Sequence, residues 1–262
     1  MRVVLPQLTL LEPAVSVKSH MILWFILTTL LVSYDNGAEA LQARLGPKLA
    51  QYGIPSKLLF YAWVCGTERD YSYLSQIKQY KTFFSILSNT LTRVLFQAGV
   101  PVEALDDFFT SEDVDYIMSE YKKLKPRPGL GEMMQTLRGG GFEVWCCSDA
   151  NVDRVKGYFD HAGVEMPLDH ILSADMVKAG KPEPAVYKFA REKAGSDQPG
   201  EVSVFAASHA WDCAAAKAAG FVTAYTTTYE YDECEVIFGK ADLVTPDLVS
   251  LGKGIVEKWG KK

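Results

Sequence analysis

The stretch MILWFILTTLLVSYD, Met21 to Asp35, decides how this chain is read. From Ile22 to Val32 no residue is charged, and only Thr28 and Thr29 are polar. A helix that crosses a bilayer needs about 20 apolar residues, so this run is too short to span one. It suits a central strand buried on both faces, here 22–32, with a tight exit at Thr28-Thr29. In an open parallel sheet the ligand site lies just past the carboxyl ends of the strands. A catalytic carboxylate is therefore expected near residues 26–30. None stands there, and the first acid downstream is Asp35.

Upstream, Pro6, Gln7, Glu12 and Pro13 interrupt the apolar residues that follow Arg2. With no small-residue cleavage site, residues 1–20 read as an N-terminal extension rather than a secretory leader. The whole chain has 262 residues, 48% hydrophobic and 23% charged, with a net charge of −5. That is the composition of a globular protein with a full-sized core. The mild acidity offers no footprint for nucleic acid or an anionic membrane. The five cysteines are odd in number and show no CxxC spacing. A disulfide framework and a zinc site are both disfavoured, and a reducing, cytoplasmic setting is the simpler expectation.

Downstream the period changes to helical. Ala38, Leu41, Leu45 and Leu49 predict an amphipathic helix over 37–51, with a possible break at Gly46-Pro47. Ser56–Gln76 and Thr82–Ala98 read as two more helices. Thr110-Ser111-Glu112-Asp113 reads as a capping box that opens a helix to about Leu124. After Arg127-Pro128-Gly129 the pattern alternates. Strands are expected at 142–147, 170–173, 202–206, 221–226 and 243–244, with helices between them. Alternation of this kind implies right-handed crossovers and a parallel sheet covered on both faces. The expected architecture is α/β. Residues 21–35 and 125–262 form the core, and an all-helical cap, 36–124, is inserted at the carboxyl end of the first strand. A cap so placed closes over a small-molecule ligand.

The motifs in order resemble those of the haloacid dehalogenase superfamily. VFAASHAWDCAAAKAAGF resembles the fourth motif of its 2-haloacid dehalogenase branch, usually VSSNAWD. GKPEPAVY resembles the lysine motif, VWCCSDANVDRV the serine motif, and KLLFYAW the cap helix KQLEYTW. The resemblance runs from about residue 21 to the C-terminus. It implies a Rossmann-like core with a helical cap, and a homodimer paired through the cap. Similar proteins occur in fungal secondary-metabolite pathways. The departures carry equal weight. Ile26 stands where the family places its nucleophilic Asp, and Thr28 where the phosphatase branch places a second carboxylate. An alkyl side chain cannot attack carbon or phosphorus. A hard cation needs oxygen ligands, so no metal and no other cofactor is expected. The cap arginine that grips a substrate carboxylate falls near Pro55. Ala207 replaces a usual serine and His209 a usual asparagine.

What remains is a lidded pocket with selected polar groups. His209 is the candidate acid or base, since imidazole titrates near neutrality. Asp212 orients it or pairs with Lys181. Ser148 donates to a substrate oxygen or caps the helix beginning near Val152. Thr28, Thr29, Tyr34, Tyr61, Trp63, Asp149 and Trp211 are candidate substrate contacts. Glu68 and Arg69 read as a surface pair, and Asp35 as a helix cap or hinge. Two functions follow. The first is a non-hydrolytic enzyme, a dehydratase, isomerase, decarboxylase or cyclase, working on a small polyketide-like molecule. The second is a ligand-binding protein without turnover. A dehalogenase-like hydrolase is a further alternative.

Overall fold

The computed structural model describes residues 21–25, 27–195 and 201–261, with the backbone alone at Leu27 and Thr28. The extension 1–20 and the side chains of Ile26 and Thr28 therefore lie outside the described residues.

The apolar stretch is not one strand. β1 covers only Met21–Phe25. A π-helical turn, Leu27–Leu31, follows, and then the short strand β2, Val32–Ser33. Arg127 explains how the chain can leave the sheet here. Its Nε donates to the Thr29 carbonyl at 2.8 Å, and its backbone N–H donates to the Leu31 carbonyl at 2.8 Å. Carbonyls buried by the turn thus keep partners without a ladder.

Six helices come next: α1 (Asp35–Ala50), α2 (Ser56–Gln76), α3 (Phe83–Ser88), α4 (Leu91–Gln97), α5 (Val102–Leu105) and α6 (Ser111–Tyr121). α1 continues through Pro47 without a break. The helix expected over 82–98 is two, divided at Asn89-Thr90. There the Asn89 and Thr90 N–H groups turn back to the Ile86 and Leu87 carbonyls. The capping box at α6 forms as expected, with Thr110 and Asp113 exchanging backbone and side-chain bonds. β3 (Lys125–Pro126) then pairs antiparallel with β2 and brings the chain back beside its point of departure.

The remaining elements alternate. They are α7 (Leu130–Gly139), β4 (Phe142–Ser148), α8 (Val152–His161), β5 (Ile171–Ser173), α9 (Pro184–Ala194), β6 (Val202–Ala207), α10 (Ala210–Ala218), β7 (Val222–Thr226), α11 (Glu235–Phe238), β8 (Leu243–Thr245) and α12 (Leu248–Trp259). Six strands form a sheet in the order β5-β4-β1-β6-β7-β8, and every neighbouring pair is parallel. β1 lies between β4 and β6, and its side chains divide by alternation. Met21, Leu23 and Phe25 join the larger core with the cap helices, while Ile22 and Trp24 join the core beneath α9 and α10. Burial on both faces is the physical reason the strand is apolar throughout. Among the described residues no helix is long and apolar enough to cross a membrane.

Candidate active site

A cavity of about 680 Å³ opens between α2 of the cap and the carboxyl ends of β4 and β6. Three core loops reach it: the β4 exit with Asp149, the loop with Lys181, and the β6 exit with His209, Trp211 and Asp212. The lysine loop is bound to the cap. Ser75 Oγ accepts from the Gly180 N–H at 2.8 Å, and Ser72 Oγ donates to the Lys181 carbonyl at 2.8 Å. Position 180 must be glycine for this approach, because a Cβ there would stand 2.5 Å from the Tyr71 ring.

Lys181 is fully buried, and its ammonium donates to the Cys147 carbonyl at 2.9 Å and faces Asp212 at 3.5 Å. Burial alone would lower the Lys181 pKa, but Asp212, Cys147 and Asp149 outweigh it and hold the group above its ordinary value. Burial pushes Asp212 up to about 6, against the pull of Lys181 and of the Tyr187 hydroxyl that donates to it. At neutral pH the pair is ammonium and carboxylate. Asp212 therefore pairs with Lys181 and does not orient His209.

Thr29 takes that task. Its Oγ1 lies 2.9 Å from His209 Nδ1 and accepts from Ser208 Oγ at 2.9 Å. Thr29 Oγ1 keeps its own proton and a second lone pair, so it serves either imidazole tautomer; when its proton points to Nδ1, the ring proton stands on Nε2. His209 is 4% exposed, and its Nε2 is buried without a hydrogen-bond partner. Burial first, and the Lys181 charge second, drive its pKa down to about 3, so the ring is neutral. Trp211 and Tyr229 hold the ring at centroid distances of 5.1 and 4.9 Å.

Two carboxyls face Nε2, Glu68 at 3.8 Å and Glu230 at 4.0 Å. Glu68 is pushed up to about 8 by burial and by the charges of Asp149, Glu230 and Asp212. Its side chain still keeps 24% of its surface open to the cleft. Burial also raises Glu230, which accepts the Ala210 N–H at 2.8 Å at the start of α10. Burial raises Asp149 as well.

Several expected contacts sit elsewhere. Thr29 is wholly buried behind His209 and does not line the cavity. Trp63 belongs to the cap core, where its Nε1 donates to Thr90 Oγ1 at 3.0 Å. Tyr61 packs on Tyr34 and Tyr229 outside the lining, whereas Tyr34 lines the cavity. Ser148 is buried and accepts the Ala150 N–H at 3.0 Å; it neither faces the cavity nor caps α8, which Asn151 does. Asp35 is exposed and accepts from Ser33 Oγ at 2.6 Å. Glu68 is no surface partner of Arg69, which pairs with Asp70 at 3.1 Å. Sequence reasoning missed Glu68, Glu230 and Tyr187. A signal existed for the first: Cys65, Glu68, Ser72 and Gln76 recur at helical spacing, and all four line the cavity. Tyr187 stood inside the lysine motif. Among the described residues no group of three acids, histidines or cysteines is placed to hold a metal ion.

The chain matches the haloacid dehalogenase-like hydrolase family over residues 69–220, so β1 and its exit lie outside the match. It is 36% identical over 109 residues to (S)-2-haloacid dehalogenase 4A of Burkholderia cepacia, covering 42% of this chain and 46% of that one. It is 29% identical over 115 residues to haloacetate dehalogenase H-2 of Moraxella sp. (strain B), covering 44% of this chain and 50% of that one. The chain thus spans about half the length of the curated relatives it matches. The L-2-haloacid dehalogenase structure from Xanthobacter autotrophicus superposes with a TM-score of 0.71 at 18% identity, over 92% of this chain and 100% of that one. At that identity the likeness speaks for the fold.

Proposed function

This chain belongs to the haloacid dehalogenase-like hydrolase family, and from that premise we propose a small-molecule enzyme whose capped site transfers protons instead of hydrolysing its substrate. One observation carries the reading. A neutral, buried imidazole presents an unpartnered Nε2 at the cavity, 3.8 Å from a carboxyl poised near neutrality, and the tautomer protonated there is the one this reading uses. A neutral histidine with a depressed pKa polarises a carbonyl as a hydrogen-bond donor. Glu68, with a pKa about 8, is matched to take a proton from the adjacent carbon. The buried Lys181 cation adds a field that favours the enolate, although its ammonium is held by Cys147 and Asp212. The reaction class is abstraction of a proton next to a carbonyl, as in isomerisation or dehydration of a polyketide-like compound. Ile26 at the nucleophile's place in the resemblance supports the same conclusion.

A second reading keeps hydrolysis, because the relatives are named as dehalogenases. Asp149, raised by burial and lining the cavity, would then be the attacking carboxylate.

The test is deuterium exchange in D2O at the carbon next to the carbonyl of a panel of aryl β-keto acids, run beside halide release from 2-chloropropionate. Proton transfer predicts exchange that rises with pH to a plateau above about 8, set by Glu68. It also predicts loss of exchange by about 100-fold or more in His209→Ala and Glu68→Gln. Halide release by the wild-type protein, lost in Asp149→Asn, would transfer the assignment to hydrolysis. Saturable binding with neither activity would leave a binding protein. Ile26→Asp asks whether the first strand exit can regain a nucleophile.

A further inference from the structure

Arg154 is a cation of the cavity wall that the proton-transfer reading leaves unused, and unlike Arg69, which pairs with Asp70, it stands without a carboxylate partner among the described residues. It stands in the first turn of α8, in the wall between two cavities. One is the candidate site. The other, of about 760 Å³, is also lined by Lys122, Phe84 and Asp149. The Arg154 Nε is buried and has no hydrogen-bond partner. Among the described residues Arg154 makes no ion pair. Its guanidinium carbon sits 5.4 Å from the centroid of the Phe84 ring, and Lys122 Nζ sits 4.7 Å from the same centroid.

Each cation is attracted to the ring, but two cations on one ring repel each other. A buried N–H without an acceptor adds a desolvation cost. An anion on the guanidinium would relieve both penalties. The planar guanidinium fork matches a carboxylate or a phosphate with two parallel bonds, which the lysine cannot do. The position expected from the family resemblance for an anion-gripping arginine falls near Pro55, and Pro55 lines a different cavity, not the candidate site. Around the candidate site the walls near Arg154 are aromatic, with Tyr34, Phe83 and Tyr121.

We propose that Arg154 anchors the anionic end of the substrate in the candidate site, with Lys122 adding positive charge from the neighbouring cavity. That substrate is an organic carboxylate or phosphate whose apolar body rests on the aromatic wall. The anchor thus comes from a core helix and not from the cap. The proposal deepens the reading of the same cavity, but it concerns binding, so its test needs no turnover.

The experiment titrates the whole protein with benzoate, phenyl phosphate and neutral benzamide, following heat or tryptophan fluorescence. At least one anion should bind about 10–100-fold more tightly than benzamide. Which of the two binds identifies the anion. Arg154→Gln should erase the preference, Arg154→Lys should keep only part of it, and Lys122→Gln should weaken it and flatten its salt dependence. The preference is read by binding alone, without turnover, so failure of the proton-transfer reading leaves this result standing. Benzamide binding as tightly as the anions, or no anion binding, would overturn the proposal. So would full preference in a folded Arg154→Gln. If that variant does not fold, undiminished preference in both Arg154→Lys and Lys122→Gln decides against it.

Discussion

The exits of β1 and β6 are neighbours on one sheet edge, yet they carry opposite chemistry. The β1 exit presents Leu27–Leu31, a π-helical turn with no acid, and its hydroxyl at Thr29 is turned inward. The β6 exit presents His209 and Asp212, joined by Lys181 from the next loop. The difference teaches where charge can reside in this fold. At the β1 exit the polar groups are spent on holding the turn and the imidazole. At the β6 exit a buried ion pair persists with Tyr187 donating to Asp212 Oδ1 and the Cys147 carbonyl accepting from the ammonium, while Asp212 Oδ2 is left with the Lys181 charge alone at 3.5 Å. The titrating groups are thus displaced from the central strand to its flank and to the cap, at Glu68.

The sharpest way to break this comparison is Lys181→Met. It leaves the Asp212 carboxylate buried without its cation, and stability in urea should fall by about 3–5 kcal/mol. An unchanged midpoint would mean that the pair contributes nothing and that the β6 exit is no better built than its neighbour. Next comes Arg127→Met, which removes the charged donor to the Thr29 carbonyl. A loss of about 1.5–3 kcal/mol in the same titration is expected. A loss below that range would show that the π-helical turn holds itself. Thr29→Val is smaller, about 1 kcal/mol, because it deletes neutral hydrogen bonds only. It should also reorient His209, so the deuterium exchange of the variant should fall while anion binding persists. Exchange at the wild-type rate would remove Thr29 from the relay.

The last prediction concerns pH and is given as a sign. Glu68 is held at about 8, above its ordinary 4.5, so the folded protein binds the extra proton between those values. Its contribution to stability is therefore greatest below about 4.5 and is lost as pH rises toward 8. His209 is held at about 3, below its ordinary 6.5, so its contribution is present above 6.5 and is lost as pH falls toward 3. Thermal melts across pH should show the alkaline decline flattened in Glu68→Gln and the acid decline flattened in His209→Gln. Identical profiles in both variants and the wild type would remove the electrostatic coupling of cap and core.

Much of the fold was legible because it rests on local regularities. The period-3.6 stripes at Ala38–Leu49 and the capping box at Thr110–Asp113 predict helices that form within a few residues of the expected bounds. The alternation after Arg127 implies the parallel sheet, and the motif order implies the family. The site was legible only as a set of converging loops. Lys181, Asp149, His209, Trp211 and Asp212 do meet in one cavity, but their partners were not readable. Asp212 lies three residues from His209 in sequence and pairs with Lys181 instead, while His209 pairs with Thr29, 180 residues away.

The amino-acid sequence by itself determined the order of elements, the helical insert and the apolar central strand, since these follow from hydrophobic period and turn residues along the chain. Tertiary structure alone decided that the apolar stretch stops being a strand after Phe25, that Ser148 turns into its own loop, and that Glu68 turns into the site. Hydrogen bonding and desolvation are set by whichever groups packing brings within about 3–4 Å, and that neighbourhood has no period in the sequence.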